Sequence, residues 1–261
     1  LKSLKSKCVS GMGPYSKITQ KWFEDSIKGI GKTYLTTSCT HALEAAAMAL
    51  NFKSGDEVIV PSYTFVTTAL AFYLNGASIR FCDIRPDTLN LDEKQLEEII
   101  TNKTRAIVLV HYAGVACEMD IILDLAKKNN LVVVEDNAHG LFGKYKGKFL
   151  GTIGDMAAQS FHETKNISCG EGGALIVNNA KFNNKVEIII EKGTNRSRFF
   201  KGEINKYSWV GKGSSYLMSD ILASVLYGQL KHSKKIQHRR EIIWKRYNEA
   251  LFSWSQSNAI L

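Results

Sequence analysis

The chain has 261 residues, of which 44% are hydrophobic and 23% charged. These are ordinary proportions for a globular protein, and they exclude a long disordered tail or a collagen-like repeat. The net charge of +9 lies entirely in residues 181–261, with 15 basic and 6 acidic residues, because residues 1–180 hold 19 of each. A nucleic acid, a membrane surface, a phosphorylated small molecule or plain solvent could each face such a region.

Cysteine usage and hydropathy restrict the compartment. The five cysteines form no CxxC pair, and the histidines lack metal-ligand spacing. Such a set is typical of reduced thiols rather than of a disulfide framework or a zinc site. No apolar run reaches the roughly 18 residues of a membrane helix, and no apolar segment of a signal peptide follows the cations at the start. We therefore expect a cytoplasmic protein without a metal and without a membrane partner.

Seven short runs rich in β-branched residues predict strands. Several of them, such as the three valines at 132–134, are apolar without alternation, which is typical of a parallel sheet covered on both faces. The predicted strands are Thr33–Thr36, Glu57–Val60, Ser78–Cys82, Ala106–Val110, Leu131–Glu135, Met156–Phe161 and Ala174–Val177.

Helical periodicity separates these runs. The predicted helices are Pro14–Lys28, Thr40–Asn51, Thr64–Leu74, Asp92–Ile99, Asp120–Asn129 and Ala180–Glu191. Strands that alternate with helices predict a single α/β domain with a mostly parallel sheet.

The last third of the sequence is organised differently. Residues 192–213 are rich in glycine and cations without periodicity, which predicts a long loop of a kind that is often functional. Two helices are predicted after it, Met218–Leu230 and Ile236–Leu251. We expect residues 1–213, including this loop, to form the α/β domain. Residues 214–261 are expected to form a helical segment that leads into a second, truncated domain.

Ligands of open α/β sheets bind at the carboxyl ends of the strands, so the residues after each strand are informative. Residues 37–42, Thr-Ser-Cys-Thr-His-Ala, follow the first predicted strand and precede a helix. Free backbone N–H groups and the helix dipole at this point suit an anion. The same residues suit an ordinary N-cap, and both interpretations stay open.

A carboxylate and a lysine follow two later strands. Asp136 follows an apolar strand, where a buried carboxylate needs a partner such as a cationic ring nitrogen or a metal; a helix N-cap is the alternative. Lys165 follows Ser160 and precedes the glycines of 170–173, where desolvation would make a lysine nucleophilic. An ordinary exposed lysine fits as well. Taken with the anion site, these are the parts that hold pyridoxal phosphate.

Five segments resemble the sugar aminotransferases of the DegT/DnrJ/EryC1/StrS family. They are TSCTHALE (37–44), PSYTFVTTA (61–69), VEDNAHG (134–140), SFHETKN (160–166) and GEGGALIVN (170–178). They stand in the family's order and spacing, and the resemblance extends from Pro14 to Leu251. Within the family, SFHETKN, EKGTNRS and GSSYLMSD most resemble the branch that makes dTDP-4-amino-4,6-dideoxygalactose.

The resemblance implies the large domain of a fold-type I pyridoxal phosphate enzyme, like that of aspartate aminotransferase, with the C-terminal small domain largely missing. At the matching positions, Lys165 would bind the cofactor covalently as a Schiff base. Asp136 would keep the pyridine nitrogen protonated. His139 would contact the phenolic oxygen, and Phe65 would stack on the ring. A core aromatic is the alternative for Phe65.

The resemblance also implies phosphate contacts and a partner. Ser160, Cys39 and Thr40 match phosphate-binding positions, the last two partly through backbone N–H groups. Ser215 stands where many members have an asparagine that reaches the phosphate of the partner subunit. Active sites in the family lie at a homodimer interface, so a homodimer with shared sites is expected.

The basic loop is a candidate substrate site. Lys192, Arg196, Arg198 and Lys201 could bind the diphosphate of a nucleotide sugar, since arginine offers a bidentate fork. A solvated loop is the alternative.

The implied activity is transfer of an amino group, with glutamate as donor and 2-oxoglutarate as product, to a nucleotide-linked 4-keto-6-deoxy sugar. A truncated or non-catalytic cofactor-binding relative is one alternative. A family sugar dehydratase is another, although Lys165 argues against it because a histidine is expected there in dehydratases. A nucleic-acid binder is disfavoured, because residues 181–261 contain no recognisable nucleic-acid motif.

Overall fold

The structure is a computed structural model that describes residues 2–5 and 7–258. Seven strands form its main sheet, and all seven predicted strands are confirmed. They are β1 (Lys32–Thr36), β2 (Glu57–Pro61), β3 (Ser78–Cys82), β4 (Thr104–Val110), β5 (Val132–Asp136), β8 (Met156–Ser160) and β9 (Gly173–Val177). No sequence pattern predicts the small hairpin that β6 (Lys144–Tyr145) forms with β7 (Lys148–Phe149).

The strands lie in the order β1-β9-β8-β5-β4-β2-β3. The pairs β2–β3, β2–β4, β4–β5 and β5–β8 are parallel, whereas β9 is antiparallel to both β8 and β1. The sheet is therefore mostly parallel, as predicted. Six strands end at one edge and β9 begins there, so this edge collects the candidate site residues that follow the strands.

The predicted helices are also confirmed, with ends that shift by one to three residues in most and by seven at the end of the last, and with two that begin with a 3₁₀ turn. The α-helices are α1 (Lys2–Lys5), α2 (Pro14–Ser26), α3 (Cys39–Leu50), α4 (Val66–Tyr73), α5 (Leu96–Ile99), α6 (Met119–Lys128), α7 (Asn183–Ile190), α8 (Arg196–Phe200), α9 (Asp220–Lys231) and α10 (Ser233–Asn258). None of the helices among the described residues is long and apolar enough to cross a bilayer.

Both faces of the sheet are buried. Val108 packs with the alanines of α3 on one face, whereas Leu109, the next residue of β4, packs with α6 on the other. A third apolar cluster lies between α2 and α9, and in it Phe23 packs against Phe161. This layering explains the continuous apolar runs of the central strands, since each face needs its own apolar side chains.

The prediction of an unbroken loop at residues 192–213 is wrong in one part, because α8 lies within it. Ser197 Oγ and Lys201 Nζ both bind the carboxylate of Glu187 in α7, at 3.1 Å and 3.2 Å. A helix of five residues has too few turns for a detectable period, so these tertiary contacts decide its conformation.

The segment after residue 213 is joined closely to the α/β body. Thr37 N donates to the carbonyl of Tyr216 (2.9 Å) and Met218 N to that of Leu35 (3.3 Å), while α9 packs along α2. Side chains of α10 become largely exposed from His238 onward. The division at residue 213 stays a prediction, and these contacts favour counting α9 with the body. Residues 259–261, the end of the predicted second domain, lie outside the described residues.

Candidate active site

The carboxyl ends of five strands open into one cavity of about 500 Å³. Its lining residues are Ser38, Cys39, Thr40, Tyr63, Thr64, Phe65, Thr67, Val110, Tyr112, Asp136, Ala138, His139, Ser160, His162, Thr164, Lys165, Glu171 and Gly172. Seven of the eight predicted cofactor-binding residues belong to this set. The structure thus brings together side chains from four segments that lie far apart in the sequence.

The amino end of α3 forms one wall of the cavity. Ser38 caps this helix, with its Oγ accepting from His41 N (3.1 Å) and its carbonyl from Ala42 N (3.1 Å). The N-cap interpretation is therefore confirmed. The amides of Cys39 and Thr40 are not used by this cap, so they remain available to an anion in the cavity.

Gly173 lets β9 begin directly against this helix end. A Cβ on Gly173 would lie 2.3 Å from the carbonyl carbon of Ser38 and 2.4 Å from Cys39 N. Neither backbone atom can move without displacing the start of α3. The glycine in the motif GEGGALIVN is thus required by a close approach of two backbones.

Asp136 lies at the end of β5 and is only 4% exposed. Its Oδ2 accepts from Thr68 Oγ1 (2.7 Å) and its Oδ1 from the amide of Ala138 (3.2 Å). Burial raises the pKa of this carboxyl, while Thr68, Ala138, His139 and Lys165 act in the opposite direction. A cation in the cavity would therefore be stabilised by Asp136 and would in turn stabilise its charge.

Thr68 is a site residue that the sequence patterns do not predict. Its hydroxyl also lies 2.7 Å from Thr64 Oγ1. The hydroxyls of Thr64, just before α4, and of Thr68, in its first turn, thus form a chain that orients the carboxylate of Asp136. The only signal was its place inside the motif PSYTFVTTA. Among the described residues, no cluster of three or more His, Cys, Asp or Glu could hold a metal ion. The described residues thus give no support to the alternative that Asp136 binds a metal ion.

His139 is held in one tautomer. Its Nδ1 accepts a hydrogen bond from the amide of Ala113 (3.2 Å), which leaves Nε2 to carry the proton. Burial and the neighbouring Lys165 lower the pKa of His139, so the ring is neutral at pH 7. Tyr112 packs edge-on against it at 5.2 Å, and Tyr63 packs against Tyr112 at 4.8 Å. His139 thus offers a fixed N–H donor beside an aromatic wall.

Phe65 has an unusual environment for an aromatic residue. It precedes α4, lines the cavity and is 72% exposed. The alternative interpretation of Phe65 as a core aromatic is therefore wrong. An aromatic face open to the cavity leaves apolar surface that a planar ligand could cover.

Lys165 lies on the turn after β8. Phe161 anchors this turn, because its N–H donates to the carbonyl of Gly172 (2.8 Å) and its carbonyl accepts from Cys169 N (3.0 Å). Lys165 is close enough to Asp136, His139 and Cys39 to shift the pKa of each of them. Burial and Asp136 raise the pKa of the Cys39 thiol, so it stays protonated.

Of the remaining predicted residues, one lines this cavity and the others lie outside it. Ser160 lines it at the end of β8, whereas Ser215 is exposed and pairs with Glu191 in an isolated β-bridge. Three of the four basic loop residues face acidic groups of the same chain instead. The pairs are Arg196 with Glu191 (3.7 Å), Arg198 with Glu203 (3.0 Å) and Lys201 with Glu187 (3.2 Å). Lys192 is exposed and has no acidic partner in the part of the chain that the structure describes.

Comparison with known proteins identifies relatives of this arrangement. The profile of the DegT/DnrJ/EryC1/StrS aminotransferase family matches residues 2–260. An uncharacterised protein of Methanocaldococcus jannaschii is 40% identical over 95% of this chain and 64% of its own length. GDP-perosamine synthase of Escherichia coli O157:H7 is 35% identical over 92% of this chain and 64% of its own length. The chain thus spans less than two thirds of these curated relatives.

Solved structures agree with the family match. An aminotransferase from Psychrobacter cryohalolentis superposes with a TM-score of 0.91 at 29% identity, over 98% of this chain and 66% of that one. A protein from Streptococcus pneumoniae superposes in its pyridoxal phosphate form with a TM-score of 0.87 at 28% identity, over 96% and 67% of the two chains. The same protein is also known in a pyridoxamine phosphate form. The chain belongs to the DegT/DnrJ/EryC1/StrS aminotransferase family, whose members use pyridoxal phosphate.

Proposed function

We propose that this chain carries the cofactor-binding part of an aminotransferase. The protein would move an amino group from glutamate to a nucleotide-linked 4-keto-6-deoxy sugar. One observation carries the proposal: a single cavity holds the amine of Lys165, the buried carboxylate of Asp136 and two free amides at the start of α3.

The residues of this cavity fit pyridoxal phosphate by their chemistry. Asp136 is buried with a raised pKa, so a protonated ring nitrogen is a partner that offsets its burial. The amides of Cys39 and Thr40, together with Ser160 Oγ, form a donor set for a phosphate. Phe65 presents an open aromatic face for the ring. Lys165 supplies the only amine among the described residues that line the cavity, and an amine is the group that binds an aldehyde.

Each residue then has a defined task in the proposed reaction. Bound pyridoxal phosphate supplies an electron sink for the carbanion that a substrate leaves on losing a proton. Lys165 Nζ would hold the cofactor and, once released, carry that proton as base and then acid. Asp136 would keep the ring nitrogen protonated through a charge-assisted hydrogen bond worth about 1.5–3 kcal/mol. His139 Nε2–H would donate to the phenolic oxygen.

The proposed substrates rest on the relatives and on the motifs. A GDP-perosamine synthase among the relatives supports a nucleotide-linked sugar as amino acceptor. The motif SFHETKN favours the dTDP-linked sugar that gives 4-amino-4,6-dideoxygalactose, and glutamate is the proposed donor. Activity of the purified chain with dTDP-, GDP- and UDP-linked keto sugars would decide the nucleotide and the sugar.

A second copy of the chain is the proposed partner. An apolar face beside the cavity consists of Val66, Leu70 and Tyr73 on α4, Leu74 directly after this helix, and Phe81 on β3, and all five residues are at least 41% exposed. A contiguous patch of this kind is typical of an interface. In a homodimer, Ser215 and the basic loop would serve the cavity of the partner subunit. The cytoplasm is the proposed location, as reduced thiols such as the buried Cys82 and Cys117 suggest.

An absorbance spectrum tests the proposal. The chain mixed with pyridoxal phosphate should acquire the absorbance band of the lysine-bound cofactor, and glutamate should convert it while 2-oxoglutarate appears. Lys165→Ala should lose the band, whereas Lys181→Ala, on the surface near α7, should keep it. A parent protein without the band would contradict cofactor binding.

The alternatives give different results in the same experiments. A non-catalytic relative would bind the cofactor but release no 2-oxoglutarate from glutamate. A dehydratase would consume the keto sugar without taking up an amino group. A nucleic-acid binder would hold duplex DNA with an affinity that falls steeply with salt.

A further inference from the structure

A second cavity lies on the other side of Lys165. It has a volume of about 460 Å³ and shares Ala138, His139, Ser160, Thr164 and Lys165 with the first cavity. Its other lining residues are Ala113, Leu141, Gln159, Asn166, Ile167 and Arg240. Arg240 belongs to α10, so a residue from the C-terminal helix reaches the surroundings of the proposed reactive amine.

Arg240 reaches the cavity because of its place on α10. Ser233 is buried, Ile236 and Gln237 are half-buried, and Arg240 continues this stripe at helical spacing. The neighbouring Arg239 lies off the stripe and is not among the lining residues. The two adjacent arginines therefore differ in position while sharing charge and exposure.

The polar groups of the second cavity suit an anion. Among the described residues that line it none is acidic, and Lys165 and Arg240 are its cationic side chains. Gln159 accepts from Asn137 Nδ2 through its Oε1 (2.9 Å), which leaves its NH₂ group as a donor. In the described part of the chain, Arg240 makes no hydrogen bond or ion pair, in contrast to Arg196 and Arg198.

We propose that Arg240 binds a carboxylate of the amino donor; this inference rests on the proposed aminotransferase function. A guanidinium pairs with a carboxylate through two parallel hydrogen bonds. In an amino acid, a carboxylate and the amine are attached to the same carbon. A cation that shares a small cavity with Lys165 can therefore hold that carboxylate while the amine stands at the reacting position.

The diphosphate of a nucleotide sugar fits this position less well. In a 4-keto sugar, ring carbons separate the keto carbon from the anomeric carbon that carries the diphosphate. When the keto carbon stands at the reacting position, the diphosphate lies on the far side of the sugar ring from Lys165. Arg240 thus serves the donor half of the reaction, and the acceptor sugar needs other cations.

The first experiment measures the donor half-reaction. The chain loaded with pyridoxal phosphate is titrated with glutamate, and the change in cofactor absorbance gives an apparent dissociation constant. Arg240→Gln should raise this constant about tenfold or more, because a charge-assisted hydrogen bond is lost. Arg240→Lys should give a constant between those of the parent and of Arg240→Gln, since lysine keeps the charge but cannot form two parallel hydrogen bonds. Arg239→Gln, the matched control, should leave the constant unchanged.

A second experiment separates the donor from the nucleotide and from the cofactor. Calorimetric titration with dTDP and with GDP should give the same affinity in Arg240→Gln and in the parent. Titration of the cofactor-free chain with maleate, a dicarboxylate, should show weaker binding in Arg240→Gln than in Arg239→Gln.

The assignment would be overturned if the parent and Arg240→Gln had equal dissociation constants for glutamate. It would also be overturned if Arg240→Gln and Arg239→Gln weakened glutamate binding equally. A third contrary outcome is an Arg240→Gln variant that loses affinity for dTDP and GDP while its affinity for glutamate is unchanged. Failure of the proposed function itself has a different signature, because the parent would then form no cofactor band. The maleate titration needs no cofactor and still decides the role of Arg240.

Discussion

Asp136 illustrates how burial and hydrogen bonding oppose each other at a single residue. Thr68 and the amide of Ala138 stabilise its charge, yet burial has the larger effect and the pKa stays raised. A raised pKa in the folded chain means that the folded state binds the proton more tightly than the unfolded state. The Asp136 contribution to stability is therefore greatest below the ordinary pKa of 3.8 and is lost as the pH rises through the folded pKa.

The variant Asp136→Asn should thus stabilise the cofactor-free chain at pH 8 by about 1–3 kcal/mol, the scale of an incompletely compensated buried polar group. An asparagine keeps the shape and one acceptor without the charge. Urea unfolding at pH 5 and pH 8 measures the difference, and the gain should shrink at the lower pH. An equal or lower stability of the variant at pH 8 would contradict a raised pKa. With pyridoxal phosphate added, the same variant should bind the cofactor more weakly.

Single residues also mark the limit of prediction from sequence. Lys165, Asp136 and His139 could be selected because each follows a recognisable strand inside a family motif. Thr68 and Arg240 could not, because their relevance depends on what lies opposite them in the folded chain. The basic loop shows the opposite, since the sequence displays its cations but does not show that Arg198 and Lys201 are paired with Glu203 and Glu187 of the same chain.

Two elements meet at Gly173, where the start of β9 touches the first turn of α3. Because the added methyl would overlap the backbone of Ser38 and Cys39, the substitution must move α3 or the sheet. The helix end that carries the proposed phosphate donors and the strand next to β8 therefore have a fixed spacing.

We expect Gly173→Ala to lower the free energy of unfolding by about 3 kcal/mol or more, at the upper end of overpacking costs. Gly228→Ala is the control. Gly228 lies in α9 with nothing within 4 Å of an added Cβ, and alanine there should stabilise the chain by about 0.5–1 kcal/mol. Urea unfolding of both variants gives the two values. An unchanged free energy of unfolding in Gly173→Ala would show that α3 is not held against β9.

The helix α2 is capped by a residue far along the chain. Its own N-cap position, Gly13, has no side chain, and Asp220 of α9 supplies the acceptors instead. Asp220 Oδ1 accepts from Ser16 N (2.7 Å) and from Ser16 Oγ (3.0 Å), and its Oδ2 accepts from Tyr15 N (3.2 Å). The contact ties the start of α2 to the segment after the basic loop.

Asp220→Ala should therefore cost about 1–3 kcal/mol, because it leaves buried donors without an acceptor. The exposed Asp25, which pairs with Lys21 on the surface of α2, provides the comparison. Asp25→Ala should cost no more than about 1 kcal/mol. Thermal or urea unfolding measures the stability of both variants. Equal losses of unfolding free energy in Asp220→Ala and Asp25→Ala would contradict a stabilising role of the long-range cap.

At the scale of the whole molecule, the exposed face of α4 lies beside the cavity and Ser215 lies outside it. Both features suit an assembly in which two chains complete each site. The charge asymmetry fits the same arrangement, because the basic third of the chain supplies the exposed loop and α10 while the neutral part holds the cavity.

The variant Leu70→Glu should convert a dimer into a monomer, because it places a charge at the centre of the apolar face. Leu70 is 41% exposed, so the fold should tolerate the change. Ile121→Glu on α6, where the side chain is 46% exposed, is the matched control and should stay dimeric. Sedimentation of the parent and both variants gives the result, and a monomeric parent would contradict the proposed partner.

The sequence by itself determined the strands, most helices and the residues that follow the strands. These depend on the period of apolar side chains and on local turn chemistry, which a short window contains. Only the tertiary structure decided that Thr68 orients Asp136, that Asp220 caps α2 and that Arg240 lines the same cavity as Lys165. Each of these contacts joins segments whose approach depends on the packing of the whole sheet and its helices, so no local pattern records it.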